Sequence, residues 1–148
     1  RAAIKSHEGR LEKSCLMDKF MEVLGADEPG NLLGRMHGMD RTQIAGLSRV
    51  VFDAAASGYT VSAGILDAEA RELALMARAV SRSLGLDAPS IALVGGCFKN
   101  PSYVDMLRKH AETMMPGVSL CWPSLPPCEG AAILAREYSL QQSPEKRD

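Results

Sequence analysis

The residues whose types and spacing best suit ligand chemistry lie in Leu93-Val94-Gly95-Gly96-Cys97-Phe98-Lys99-Asn100-Pro101. A short apolar run ends in two glycines, and Asn100-Pro101 opens a helix a few residues later. Glycines at the C-terminal end of a strand let a ligand approach the backbone closely. The crevice beyond the carboxyl ends of parallel strands is where open α/β sheets bind ligands. The free N–H groups of a helix start favour an anionic group such as phosphate. Taken alone, the paired glycines are also accounted for by a tight turn. A second loop, Pro126-Pro127-Cys128-Glu129-Gly130-Ala131, likewise follows a strand and opens a helix, which would set it beside the first at one sheet edge. Glu129 is explained there by the helix macrodipole, whereas Gly130 leaves room for a ligand or a neighbouring loop.

Other chemistries lack their residues. There is no GxxxxGK[ST] phosphate loop and no GxGxxG before a helix. No local motif suggests a serine–histidine–acid set. Asp53, Asp67, Asp87 and Asp105 each fit a helix surface or cap, so none stands out as a general base. The four cysteines form no CxxC pair and have no histidine at ligand spacing, which argues against a zinc site or a disulfide framework. His7, His37 and His110 are scattered.

The elements that must position the two loops follow from periodicity. Residues 1–9 show no period and end at Gly9. Leu11, Cys15, Leu16, Phe20, Val23 and Leu24 recur at helical spacing, stopped by Gly25. Asp27 and Pro29 suggest the N-cap and first turn of a short helix through Met36. Asp40 caps a third helix, with Ile44, Leu47, Val51, Phe52 and Ala55 on its apolar face, ending at Gly58. Thr60 opens the longest pattern, with Val61, Ile65, Leu66, Leu73, Met76, Ala77, Val80 and Leu84 along one face. Its many small residues permit close approach of another helix, although alanine's helix propensity alone accounts for them.

After Gly85 the pattern changes. Ile91–Val94 reads as a strand buried on both faces, as in a parallel sheet. A helix from Asn100 carries Tyr103, Val104, Leu107 and Met114 inward, Val118–Trp122 reads as a second strand, and a final helix carries Ala131, Ile133, Leu134 and Tyr138. Residues 141–148 look like a frayed tail. A right-handed crossover makes the two strands parallel neighbours. Two parallel strands do not make a stable sheet alone, so the remaining strands are expected from sequence outside this chain or from another chain. The first residue, Arg1, is not a start methionine, in keeping with a piece of something longer.

The 148 residues suit one domain, and 46% hydrophobic against 24% charged residues excludes disorder over most of the chain. A net charge of −1 argues against a nucleic-acid binder. No apolar stretch approaches the ~20 residues of a membrane span and no signal-peptide pattern opens the chain, which favours the cytoplasm.

The order of these features resembles one family. Residues 91–135, from Ile91 to Ala135, carry a strand ending in Gly-Gly, an Asn-Pro helix start, a second strand after Pro-Gly, and a Pro-Pro-x-x-Gly-Ala helix start. This is similar to the C-terminal end of the BadF/BadG/BcrA/BcrD ATPase family, which includes N-acetylglucosamine kinase-like sugar kinases. Ser6–Arg10 is similar to that family's Asp-Gly-Arg turn, with Glu8 in place of Asp, and residues 50–58 and 63–80 also match. The resemblance implies an α/β, helix-rich chain with a short parallel sheet, the C-terminal part of an actin-like (ribonuclease H-like) ATPase lobe. Residues 1–140 would be that part, with a helical region at 10–85 and a strand–helix–strand–helix unit at 90–140. ATP with Mg²⁺ is implied as the cofactor, with Gly95 and Gly96 against the adenosine, Cys97, Phe98 and Asn100 bordering the pocket, and Gly130 near it. Residues 63–80 would pack at the interdomain hinge.

The family's Asp-Gly-Gly-Gly-Thr and Gly-Thr-Gly-Ser phosphate loops are absent, so the sugar-binding and catalytic acids would lie elsewhere and this chain alone would be inactive. The leading expectation is therefore the adenosine-binding part of an ATP-dependent kinase for a sugar or amino sugar. Its partners would be the nucleotide, a sugar held mainly by other sequence, and a second copy if unpaired strand edges associate. One alternative is an ATPase activating a 2-hydroxyacyl-CoA dehydratase or benzoyl-CoA reductase type system, whose Cys-Ala-Ala-Gly-Thr-Gly stretch is missing here. Another is a non-catalytic regulatory module of the same fold.

Overall fold

A computed structural model describes residues 1–142; of the tail expected at 141–148, Gln141 and Gln142 instead continue the last helix, and the rest lies outside the described residues. The order of elements is α1 (Ala2–His7), α2 (Leu16–Leu24), α3 (Leu32–His37), α4 (Arg41–Gly46), α5 (Ser48–Ala56), α6 (Thr60–Ser83), β1 (Ser90–Ala92), α7 (Pro101–Met114), β2 (Ser119–Cys121) and α8 (Pro127–Gln142). Short 3₁₀ turns precede α3 at Pro29–Asn31 and α7 at Gly96–Lys99. The chain is thus helix-rich with a parallel two-stranded sheet in the register Ser90↔Ser119, Ile91↔Leu120, Ala92↔Cys121.

Several local expectations change. Residues 1–9 form α1 despite showing no period, because six helical residues are too few to display one. The turn at Pro29 is 3₁₀, begins after Glu28, and has no side-chain cap from Asp27. The helix expected from Asp40 to Gly58 breaks at Leu47 into α4 and α5. Gly46 weakens the helix there, and Ser48 Oγ donates to the carbonyl of Ala45 at 2.7 Å, so the chain turns between two short helices. Asp40 does cap α4. Its carboxylate accepts from Gln43 N while Gln43 Oε1 accepts from Asp40 N, both at 2.8 Å.

Helix α6 joins two cores. One gathers Leu66, Ala70 and Ala74 of α6 with Leu93 and with Tyr103, Val104, Leu107, Ala111 and Met115 of the α7 segment. The other gathers Ala3, Leu16, Met17, Ala26, Leu32, Val50 and Ala54, with Val61 and Ile65 of α6 against it. The buried seam of α6 is therefore Ser62, Leu66, Ala70, Ala74 and Ser81, small residues apart from Leu66, with Val61, Ile65, Leu73 and Ala77 half-buried beside it. Met76, Val80 and Leu84, expected on the inner face, are 56–65% exposed. Burial has followed the small residues, because they let α5 and α7 come close enough to bring their own larger side chains against α6. His110 Nε2 and Asp67 Oδ1, 2.9 Å apart, tie α7 to α6 at the rim of this seam.

The sheet is covered on one side only. Ile91, Leu93 and Leu120 turn toward the α6–α7 core, while Ala92 and Val94 are exposed. The expectation of a strand buried on both faces fails because α7 covers one face and no described element covers the other. Gly117 sets the return into β2. Its φ is +83°, and a Cβ there would stand 3.3 Å from the Ala88 side chain, while Ser119 N donates to Pro89 O at 3.0 Å. Every described side chain of α8 is exposed except at half-buried Gly130. No helix among the described residues is long and apolar enough to cross a membrane.

If the seam depends on small residues, Ala74→Leu overpacks it and lowers unfolding stability by about 1–3 kcal/mol. Ala79→Leu, on the exposed face of the same helix, leaves stability nearly unchanged. Urea unfolding of both variants checks this, and equal effects would contradict it.

Candidate functional site

The glycine pair closes β1 and turns the chain into α7. Gly95 has φ +126°, which only glycine adopts without strain. Gly96 has no such constraint, and a Cβ there would meet nothing within 4 Å. The two glycines thus do different work: the first turns the chain, and the second leaves space. Asn100 caps α7, its side-chain oxygen accepting from Tyr103 N at 3.1 Å, with Pro101 as the first helical residue. That leaves the Asn100 side-chain NH₂ free to donate.

These residues form one wall of an open cleft of about 720 Å³. Gly96, Cys97, Lys99, Asn100 and Pro101 face Ala45 and Gly46 at the end of α4, and Ser48, Arg49 and Phe52 at the start of α5. Aromatic contacts hold the two walls together. Phe52 meets Tyr103 edge-on with ring centroids 5.6 Å apart, and Phe98 lies against the same tyrosine at 6.2 Å. Burial of Tyr103 pushes its phenol above its ordinary range, and the nearby Cys97 and Glu69 push the same way electrostatically. Tyr103 is therefore a neutral packing group at any physiological pH.

The structure brings together part of the expected set. Gly96, Cys97 and Asn100 line the cleft, and Gly95 is the turn that delivers them. Phe98 does not line it. Its ring lies on Tyr103 and opens instead onto a smaller cavity with Lys99, Pro101, Val104, Asp105, Arg108 and Trp122. Gly130 is half-buried and is not among the cleft walls. The candidate bases Asp53, Asp67, Asp87 and Asp105 are exposed and none lines the cleft. Asp67 and Asp105 are paired with His110 and Arg108.

Periodicity missed the α4–α5 wall. Arg49 and Phe52 sit one helical turn apart, but spacing within a helix does not say which distant loop it will face. A third cavity, about 580 Å³ and largely apolar, lies among α1 to α5, with Arg1, His7 and Glu8 at its edge. The four cysteines are free, and no group of three or more His, Cys, Asp or Glu among the described residues could hold a metal ion.

Against known proteins, residues 1–135 match the model of the BadF/BadG/BcrA/BcrD ATPase family. A curated relative, the N-acetylmuramic acid/N-acetylglucosamine kinase of Clostridium acetobutylicum, is 33% identical over 141 residues, covering 92% of this chain and 46% of its own length. The chain therefore spans about half the length of the curated relative it matches. A glycine pair that opens a cleft, an Asn-Pro helix start, and a match running over nine-tenths of the chain agree with one another: the chain belongs to the BadF/BadG/BcrA/BcrD ATPase family.

Proposed function

We propose that this chain is the C-terminal part of an ATP-dependent kinase acting on a sugar or amino sugar, and that the cleft between α4–α5 and the glycine loop receives the adenosine side of the nucleotide. The observation that carries this reading is the cleft itself. It sits beyond the carboxyl end of β1, where α/β sheets bind ligands, and its floor at Gly96 is open where any larger residue would place a side chain. The name of the Clostridium acetobutylicum relative supports the substrate class. In this reading the lobe is actin-like, and the bare face and edges of the two-stranded sheet are where its remaining strands pair.

The residues present fit a nucleoside in volume and donors. Gly96 allows the backbone to approach, the Asn100 NH₂ is available to a base or ribose acceptor, and Phe52 gives the cleft an apolar side. They do not fit a magnesium site: no carboxylate lines the cleft, and Mg²⁺ favours hard oxygen ligands. No step through the metal is assigned to these residues. Phosphoryl transfer works chiefly by positioning and charge stabilisation. The contribution of this chain is positioning, with Gly96 and Asn100 orienting the nucleotide while the acid that activates the sugar hydroxyl belongs to other sequence.

In the intact protein, Gly96→Val lowers affinity for Mg–ADP at least tenfold by calorimetric titration. Its unfolding midpoint stays close to wild type, because Gly96 needs no positive φ and a Cβ there meets nothing within 4 Å. Undiminished affinity would remove the cleft as the nucleotide site. The kinase reading itself is checked by ADP release: turnover should require N-acetylglucosamine or a related amino sugar, and turnover at the same rate without sugar would overturn it.

A further inference from the structure

Charge in the cleft is one-sided. Arg49 projects from the first turn of α5 and Lys99 ends the 3₁₀ turn, so the two cations stand on opposite walls, and no Asp or Glu lines the space between them. Neither makes an ion pair among the described residues, so neither charge is neutralised where it stands. An adenosine alone is neutral and has no need of two unpaired cations.

We propose that Arg49 and Lys99 are specificity-determining residues that make this cleft select a phosphate-bearing nucleotide over the free nucleoside. The proposal rests on the adenosine reading of the cleft and adds residues that reading did not use. Arg49 suits the role because its planar fork can hold two phosphate oxygens, while Lys99 supplies a point charge from the facing wall. Both side chains are exposed, so each attraction is of the solvent-screened kind and contributes about fivefold in affinity. Such a contribution weakens as ionic strength rises.

The test is calorimetric titration of Mg–ADP and of adenosine into the intact protein, at low and near-physiological salt. Wild type is compared with Arg49→Ala, Lys99→Ala, Arg49→Lys and Gly96→Val. The expected result is that each alanine variant loses about fivefold for Mg–ADP, with a shallower salt dependence, and stays within twofold for adenosine. Arg49→Lys should recover part of the loss. Gly96→Val should weaken both ligands. If the alanine variants lose both ligands equally, or lose neither while Gly96→Val does, the selection proposal is overturned and the site reading stands. If Gly96→Val leaves both affinities intact, or wild type binds neither ligand, the site reading falls and this proposal with it.

Discussion

The close approach of α6 to its neighbours is the constraint on which the rest of the structure depends. Ala70 and Ala74 are fully buried, and they lie against Val104, Leu107 and Ala111 one turn after another. A larger side chain at either alanine would push α7 outward. The start of α7 carries Asn100 and Tyr103, and Tyr103 is what Phe52 of α5 rests upon. The width of the cleft is therefore set at some distance from it, by the absence of side-chain volume along one helix. Leu93 ties the sheet into the same core, so the glycine turn is fixed relative to the helices by the same contacts.

How much was legible in the sequence varied with the range of the interaction responsible. Helices α6 and α7, the two strands and the Asp40 cap follow from local spacing and end signals, and they are present; α2 is present too but starts only at Leu16, leaving Leu11, expected on its apolar face, exposed outside the helix. The break at Leu47 was not legible, since it turns on a serine hydroxyl bonding back to Ala45. On the buried face of α6, Val61, Ile65, Leu66, Leu73 and Ala77 were read correctly and three others were not, for a related reason. Hydropathy ranks Met76, Val80 and Leu84 above alanine, but close-packed helices select for volume, and those three remain exposed. At the cleft, the Gly-Gly and Asn-Pro wall could be read from its own motif. The Arg49–Phe52 wall could not, because only the tertiary fold brings α5 to that loop. The resemblance to a family did not name that wall either; what the match over residues 1–135 bears out is the family itself.

The cleft separates two tasks that a single loop would struggle to combine. Backbone freedom at Gly95 and open space at Gly96 are properties of absence, fixed by what those residues lack. Asn100, Arg49 and Lys99 provide the polar groups, each anchored on a separate element. Asn100 is held by its own helix cap and cannot turn without uncapping α7. Arg49 and Lys99 are exposed and make no ion pair among the described residues, so no such contact fixes their charged ends.

The two walls also differ in how firmly they are held. Helix α4, which brings Ala45 and Gly46 to the cleft, has six residues, buries no side chain, and is fastened mainly by its Asp40–Gln43 capping box. The facing wall is rooted in α7, where Tyr103, Val104, Leu107 and Ala111 are buried. Amide protection should be correspondingly lopsided: α4 can open by a small local excursion, whereas the α7 wall opens only together with the core. The cleft then has one yielding corner, at Ala45 and Gly46, between an α5 held by Val50, Ala54 and Phe52 and a fixed α7 wall, and a turn and a half of helix can loosen while the rest of the molecule stays folded.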